Sequence, residues 1–84
     1  FEDVNAALAS ANGLDLGLGG SVWSPNIEMA KEVAKQLECG TVWINKHGPI
    51  QPDIPFGGIK NSGFGLAFGD EGFAEYTNAQ VISA

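Results

Sequence analysis

One thiol, one imidazole and a glycine-rich loop bearing phenylalanines are the parts of this 84-residue chain suited to binding or transforming a small molecule. Cys39 is the only cysteine. A nucleophilic cysteine needs an electropositive setting that holds the thiolate. Cys39 instead follows a predicted helix, whose negative dipole end disfavours an anion, and no Lys or Arg lies within three residues on either side. It is read as a structural, partly buried thiol, so no catalytic residue is expected here. His47 follows a predicted parallel strand, and the carboxyl edge of such strands is where α/β proteins place their sites. A histidine there suits proton transfer and makes His47 a candidate substrate-binding residue, although a lone loop histidine is more often a plain hydrogen-bonding surface residue. No Asp, Glu or Cys stands at ligand spacing from His47, so no metal site is expected.

The loop is Pro55-Phe56-Gly57-Gly58-Ile59-Lys60-Asn61-Ser62-Gly63-Phe64-Gly65, running on to Phe68-Gly69. Six of the twelve glycines lie between Gly57 and Gly72. Glycine costs backbone entropy on folding, so such density marks positive φ or close contact. A solvated linker would pair glycine with serine or charge; here the companions are aromatic. Gly63-x-Gly65-x-x-x-Gly69 lacks the spacing, the preceding strand and the Gly-Lys-Ser/Thr ending of phosphate cradles. An aromatic-walled pocket is the better reading, with Phe56 as its candidate lining, because ligand pockets are mostly apolar. Ordinary core packing is the competing reading.

These residues need elements to position them. Phe1, Val4, Leu8 and Ala11 share one helical face, and Asn12-Gly13 supplies a left-handed stop. Leu14, Leu16 and Leu18 lead into a strand over Gly19–Trp23. Ser24 is the expected cap and Pro25 the first turn of a helix over Pro25–Glu38. Its buried stripe is Ile27, Ala30, Val33, Ala34 and Leu37, and Glu28/Lys31 and Glu32/Lys35 pair on its outer face. Thr41–Asn45, with consecutive Val42, Trp43 and Ile44, reads as a strand buried on both faces. Together these make a βαβ unit with a right-handed crossover. Two strands cannot cover themselves, so more sheet must come from further chain or a partner. Lys46 to Gly69 shows no periodicity and reads as a functional loop. Asp70 caps a short helix carrying Phe73 and Tyr76, and Gln80 to Ala84 is strand-like. The expected fold class is α/β: a partial three-layer α/β/α arrangement with a βαβ unit, a long Gly-rich loop, a short helix and a terminal strand.

Bulk properties narrow the field. Four lysines and no arginine stand against ten acids, a net charge of −6. A chain gripping phosphate backbones needs a basic patch, so nucleic acid is not an expected partner. The scattered lysines at 31, 35, 46 and 60 argue against an anionic membrane surface, and no apolar run approaches the ~20 residues of a bilayer span. One cysteine cannot form an internal disulfide, which points to a reducing cytoplasm. The chain opens inside a helical pattern, stops inside a strand-like one and is read as a partial segment.

Thr41-Val42-Trp43-Ile44-Asn45, then Pro55 to Gly65, then Gly72-Phe73-Ala74-Glu75-Tyr76-Thr77 resembles the C-terminal section of an aldehyde dehydrogenase. Family members read close to G-T-V-x-I-N, P-F-G-G-x-K-x-S-G-x-G and G-x-x-G-x-x-x-Y-T, in this order and separation. The resemblance implies residues 1–78 as the C-terminal part of the catalytic domain and 79–84 as the start of an oligomerisation strand. It implies an NAD(P)-dependent oxidation in which a cysteine thiolate attacks the aldehyde, hydride passes to the nicotinamide, and water releases a carboxylic acid. The nucleophile, the general base and most of the NAD or NADP site would belong to upstream sequence, leaving these 84 residues inactive alone and without a cofactor of their own. Phe56 and Ile50, six positions earlier, correspond to residues lining the aldehyde tunnel. The expected partners are the rest of the chain, an aldehyde, and further copies through Gln80, Val81 and Ile82. One departure stands out: Gly63-Phe64-Gly65-Leu66-Ala67 has alanine where relatives carry a glutamate of the site's proton network. That absence keeps open an alternative, a non-catalytic binding or assembly module of the same fold.

Overall fold

The computed structural model describes residues 2–83. Phe1 of the first predicted stripe and Ala84 of the predicted terminal strand lie outside the described residues. Helix α1 spans Val4–Asn12. Asp3 starts it, its carboxylate accepting from the Asn5 and Ala6 amides at 2.9 and 3.4 Å. The acid thereby satisfies donors that the first turn leaves without partners. Leu8 is buried, and the α1 stripe of Val4, Leu8 and Ala11 faces an apolar groove shared with Trp23, Val33 and Leu37.

The helix does not end in a left-handed residue. Gly13 has φ −75° and ψ −4°, a right-handed conformation, and its amide donates to the Ala9 carbonyl. Asn12 explains why. Its Nδ2 donates to Gln36 O at 2.7 Å and its Oδ1 accepts from Glu38 N at 2.9 Å. These bonds anchor the helix end to the chain leaving α2, so the exit follows a tertiary contact rather than a glycine turn.

Strands β1 (Leu16–Gly17) and β2 (Gly19–Val22) follow, then helix α2 (Ile27–Ala34) and strand β3 (Thr41–Ile44). The predicted βαβ unit is present: β2 and β3 pair in parallel, Gly19 opposite Thr41 through Val22 opposite Ile44. Helix α2 is shorter than Pro25–Glu38. Asn26, not Ser24, caps it by accepting from Met29 N at 3.1 Å, while Ser24 Oγ accepts from Asn26 N one turn earlier. At its other end the Gln36 and Leu37 amides reach back only three residues, to Val33 and Ala34, tightening the turn after Ala34. The outer pairs Lys31–Glu28 and Lys35–Glu32 form at 3.3 and 2.9 Å. Of the inner stripe Ala30 is fully buried, whereas Ile27 at the open end stays exposed. In β3 only Trp43 is buried, so within this chain neither face of the pair is fully covered.

The stretch expected to be an irregular loop carries three two-residue strands: β4 (Phe56–Gly57), β5 (Ile59–Lys60) and β6 (Leu66–Ala67). β5 pairs antiparallel with β1, and β4 antiparallel with β6. Helix α3 spans Gly69–Ala74. Its cap position is Phe68, at φ 64° and with no side-chain cap bond, so Asp70 sits inside the first turn instead of capping it. Tyr76 lies past its end. Residues 78–83 form no strand. A strand pattern becomes a strand only when another edge supplies its bonds, and among the described residues none is offered to it.

Gly40 shows how tightly the loop sits on this frame. A Cβ at Gly40 would collide with the Gly57 carbonyl, so only glycine lets β4 lie across the α2–β3 connection. Gly40→Ala therefore forces backbone apart and is expected to destabilise the folded protein by about 1–3 kcal/mol. Calorimetry of the variant checks this, and an unchanged melting midpoint contradicts the close approach.

Candidate functional site

The site is built where β3 ends. Asn45 has φ 55°, left-handed for a non-glycine, and that turn redirects the chain at the strand's carboxyl edge. Its side chain holds the turn: Oδ1 accepts from Ser24 N at 2.8 Å and Nδ2 donates to Ser24 O at 2.9 Å. The Asn45 amide continues the parallel ladder by donating to Val22 O at 2.9 Å. The exits of both parallel strands are thereby tied together, which pre-sets the direction of the loop that follows. Nothing local in the sequence marks Asn45 for this task beyond its tolerance of left-handed backbone.

From there the chain folds back over Trp43. The indole Nε1 donates to the Pro49 carbonyl at 2.9 Å, and the His47 ring lies 4.7 Å from the indole, tilted by 59°. The loop then passes Ile50 and Ile54 to reach Phe56. Between this loop, β3 and the first turns of α2 lies a concavity of about 520 Å³. Val42, Ile44, Ile50, Ile54 and Phe56 give it an apolar wall, with Lys31 and Lys46 also lining it. Lys31 is engaged by Glu28, which leaves its charge partly compensated.

Two of the sequence-predicted site residues, Phe56 and Ile50, thus meet on one surface. The third, His47, does not line it: its ring lies tilted against the Trp43 indole, exposed to solvent. Cys39 lies outside the concavity, its Sγ near β2 at Gly20. Gln80, Val81 and Ile82 are exposed, and the structure pairs them with nothing among the described residues.

Beside Phe56 stands Ala67. The two are register partners in the β4–β6 ladder, and a Cβ at Gly72 would strike the Ala67 backbone, so α3 is packed directly against this strand. The glycines of this region do not fit a dinucleotide phosphate. Gly65 leads into β6, and α3 opens with Asp70 and Glu71, whose carboxylates would repel an anion at that helix start. Among the described residues no cluster of three or more His, Cys, Asp or Glu could hold a metal ion, and no helix is long and apolar enough to cross a membrane.

The residue that sequence reasoning left without a role is Lys60. Its Nζ donates to Asn12 O at 2.7 Å and Leu14 O at 3.1 Å, and pairs with Glu38 at 2.6 Å. Ser62, two positions on, accepts from Gly17 N at 2.9 Å through its hydroxyl. The signal available in the sequence was a single cation enclosed in a glycine-rich aromatic loop.

This arrangement has close counterparts among known proteins. A model described as the aldehyde dehydrogenase family matches residues 1–82. The succinate-semialdehyde dehydrogenase [NADP(+)] of Deinococcus radiodurans is 43% identical over 82 residues, covering 98% of this chain and 17% of that protein. The phenylacetaldehyde dehydrogenase of Pseudomonas fluorescens is 38% identical over 82 residues, covering 98% of this chain and 16% of that protein. Among solved structures, succinic semialdehyde dehydrogenase from Streptococcus pyogenes in complex with NADP+ superposes with a TM-score of 0.89 at 38% identity, over 100% of this chain and 18% of that one. Betaine aldehyde dehydrogenase from Staphylococcus aureus in complex with NAD+ gives 0.86 at 41% identity, over 98% of this chain and 18% of that one. The chain therefore spans about one-sixth of the length of the curated relatives it matches. With the parallel unit, the glycine-rich loop and the short helix α3 all falling within the matched residues, the chain belongs to the aldehyde dehydrogenase family.

Proposed function

We propose that residues 1–78 are the C-terminal section of the catalytic domain of an NAD(P)-dependent aldehyde dehydrogenase, and that they supply one wall of its aldehyde-binding tunnel. The observation carrying this reading is the meeting of Phe56 and Ile50 on one apolar concavity at the carboxyl edge of a parallel strand. An aromatic face and branched alkyl groups suit an apolar aldehyde more than a charged one. His47 braces that wall through Trp43 rather than meeting the substrate.

The reacting thiol and the dinucleotide site are assigned to residues outside these 84. Cys39 is remote from the concavity, and the loop glycines do not fit a phosphate. NAD or NADP supplies the oxidant in this family's chemistry, held elsewhere on a longer chain. The single thiol, without a disulfide partner in this chain, suits a reducing cytoplasm. One observation favours the alternative of a non-catalytic assembly module: Ala67, the cross-strand partner of Phe56, offers no carboxylate to relay a proton.

Phe56→Ala in the full-length protein is expected to raise KM for an apolar aldehyde about tenfold, the loss a hydrophobic contact carries in a binding pocket. An unaltered KM refutes the tunnel-wall role. The isolated 84 residues are expected to give no aldehyde-dependent NADH or NADPH formation; turnover above background would mean that the chemistry resides in this chain. Residues 79–84 are proposed to begin an oligomerisation strand, because Val81 and Ile82 are 90% and 86% exposed and an apolar segment of strand-like sequence can gain its backbone bonds from another chain's edge. Deleting residues 80–84 is then expected to give a smaller species in sedimentation, and an unshifted profile counts against the contact.

A further inference from the structure

Lys60 is held differently from the lysines of α2. A lysine ammonium has three N–H donors and no acceptor; Lys60 donates to Asn12 O and Leu14 O and pairs with the Glu38 carboxylate. Its side chain is 25% exposed, against 53% and 71% for Lys31 and Lys35, which pair only with a neighbour on their own helix. Asn12 O belongs to the last turn of α1, where carbonyls lack helical partners and carry the negative end of the dipole. One cation thus joins the end of α1, the connection into β1 and the exit of α2. Its backbone is at φ 55°, left-handed for a residue with a side chain. Such strain persists where the surroundings over-determine the conformation.

Only Gly58 separates Lys60 and its β5 partner from β4, the strand that carries Phe56. Between Phe56 and Gly58, the Gly57 carbonyl abuts Gly40. Glu38 and Gly40 both lie on the connection between α2 and β3, the two elements that complete the concavity. The chain leaving Phe56 is therefore fastened to the α2–β3 connection twice, by Gly57 against Gly40 and by Lys60 on Glu38. We propose that Lys60 is a positioning residue: without touching substrate, it acts through Phe56 to set the width of the concavity and with it the acceptance of bulky apolar aldehydes. This rests on reading Phe56 as a tunnel wall.

The test uses the full-length dehydrogenase with Lys60→Met, Lys60→Arg and Glu38→Gln, assayed with a phenyl-substituted aldehyde and with acetaldehyde. Misplacing a wall by a fraction of an ångström affects a ligand that fills the site and spares one that does not. Lys60→Met is expected to raise KM for the phenyl-substituted aldehyde about tenfold while its kcat and the acetaldehyde KM stay within about twofold. Lys60→Arg, keeping charge and donors, recovers most of the loss. Glu38→Gln, which leaves both carbonyl bonds, gives a smaller shift of about threefold in the same direction. A lowered melting temperature with both KM values unchanged, or equal effects on both aldehydes, overturns the proposal. Should Lys60→Met fail to accumulate, Glu38→Gln decides, and an unchanged KM for the phenyl-substituted aldehyde overturns it. Sensitivity to Phe56→Ala without sensitivity to these variants removes the positioning role alone, whereas absence of wild-type turnover removes the tunnel reading as well.

Discussion

Parallel pairing of β2 with β3 is the constraint from which the other features follow. Two parallel strands cannot be joined by a tight turn; the chain must leave one end, cross, and return to the other. Helix α2 makes that crossing, and its return point at Glu38–Gly40 becomes the seat on which the glycine-rich loop is laid. The carboxyl ends of both strands then open in the same direction, where Asn45 and Ser24 join them side chain to backbone. A site at that edge inherits its geometry from the ladder rather than from the loop.

The loop illustrates how a glycine-rich run with a lysine and a serine acquires a purpose other than holding phosphate. Lys60 and Ser62 point their polar atoms at backbone groups of the α1–β1 connection, and the glycines admit neighbouring backbone where a side chain would clash. What remains to face outward is apolar: Ile54 and Phe56 toward the concavity, and Phe64 fully exposed. The lysine that a motif scan would give to a phosphate is used instead to fasten backbone.

The sequence made the βαβ unit legible because its signals are local and redundant. Periodic apolar positions, a polar outer face spaced for ion pairs, and a consecutive apolar strand all agreed. Boundaries were less legible. Ser24 and Asn26 are both capable caps two residues apart, and which one acts depends on the turn that Asn45 fastens. Asp70 was mistaken for a cap because an acid in the first turn and an acid at the cap look alike in sequence. The pairings β1–β5 and β4–β6 involve two residues per strand, too few for any alternation to show. That Phe56 and Ile50 would share a surface was implied by the family resemblance, whereas the loop that leaves His47 outside that surface is held by a hydrogen bond between Trp43 and Pro49 that no local pattern announces.

Asn12 and Gly13 form a dipeptide in which spontaneous deamidation is ordinarily fast, because a glycine amide has little to hinder its attack on the preceding side chain. Here that nitrogen donates to Ala9 O at 3.0 Å, and the side-chain amide is held at both its oxygen and its nitrogen. Closing a succinimide ring would require all three bonds to break together. The same contacts that shape the helix exit thus guard the protein against chemical ageing at its most vulnerable peptide link.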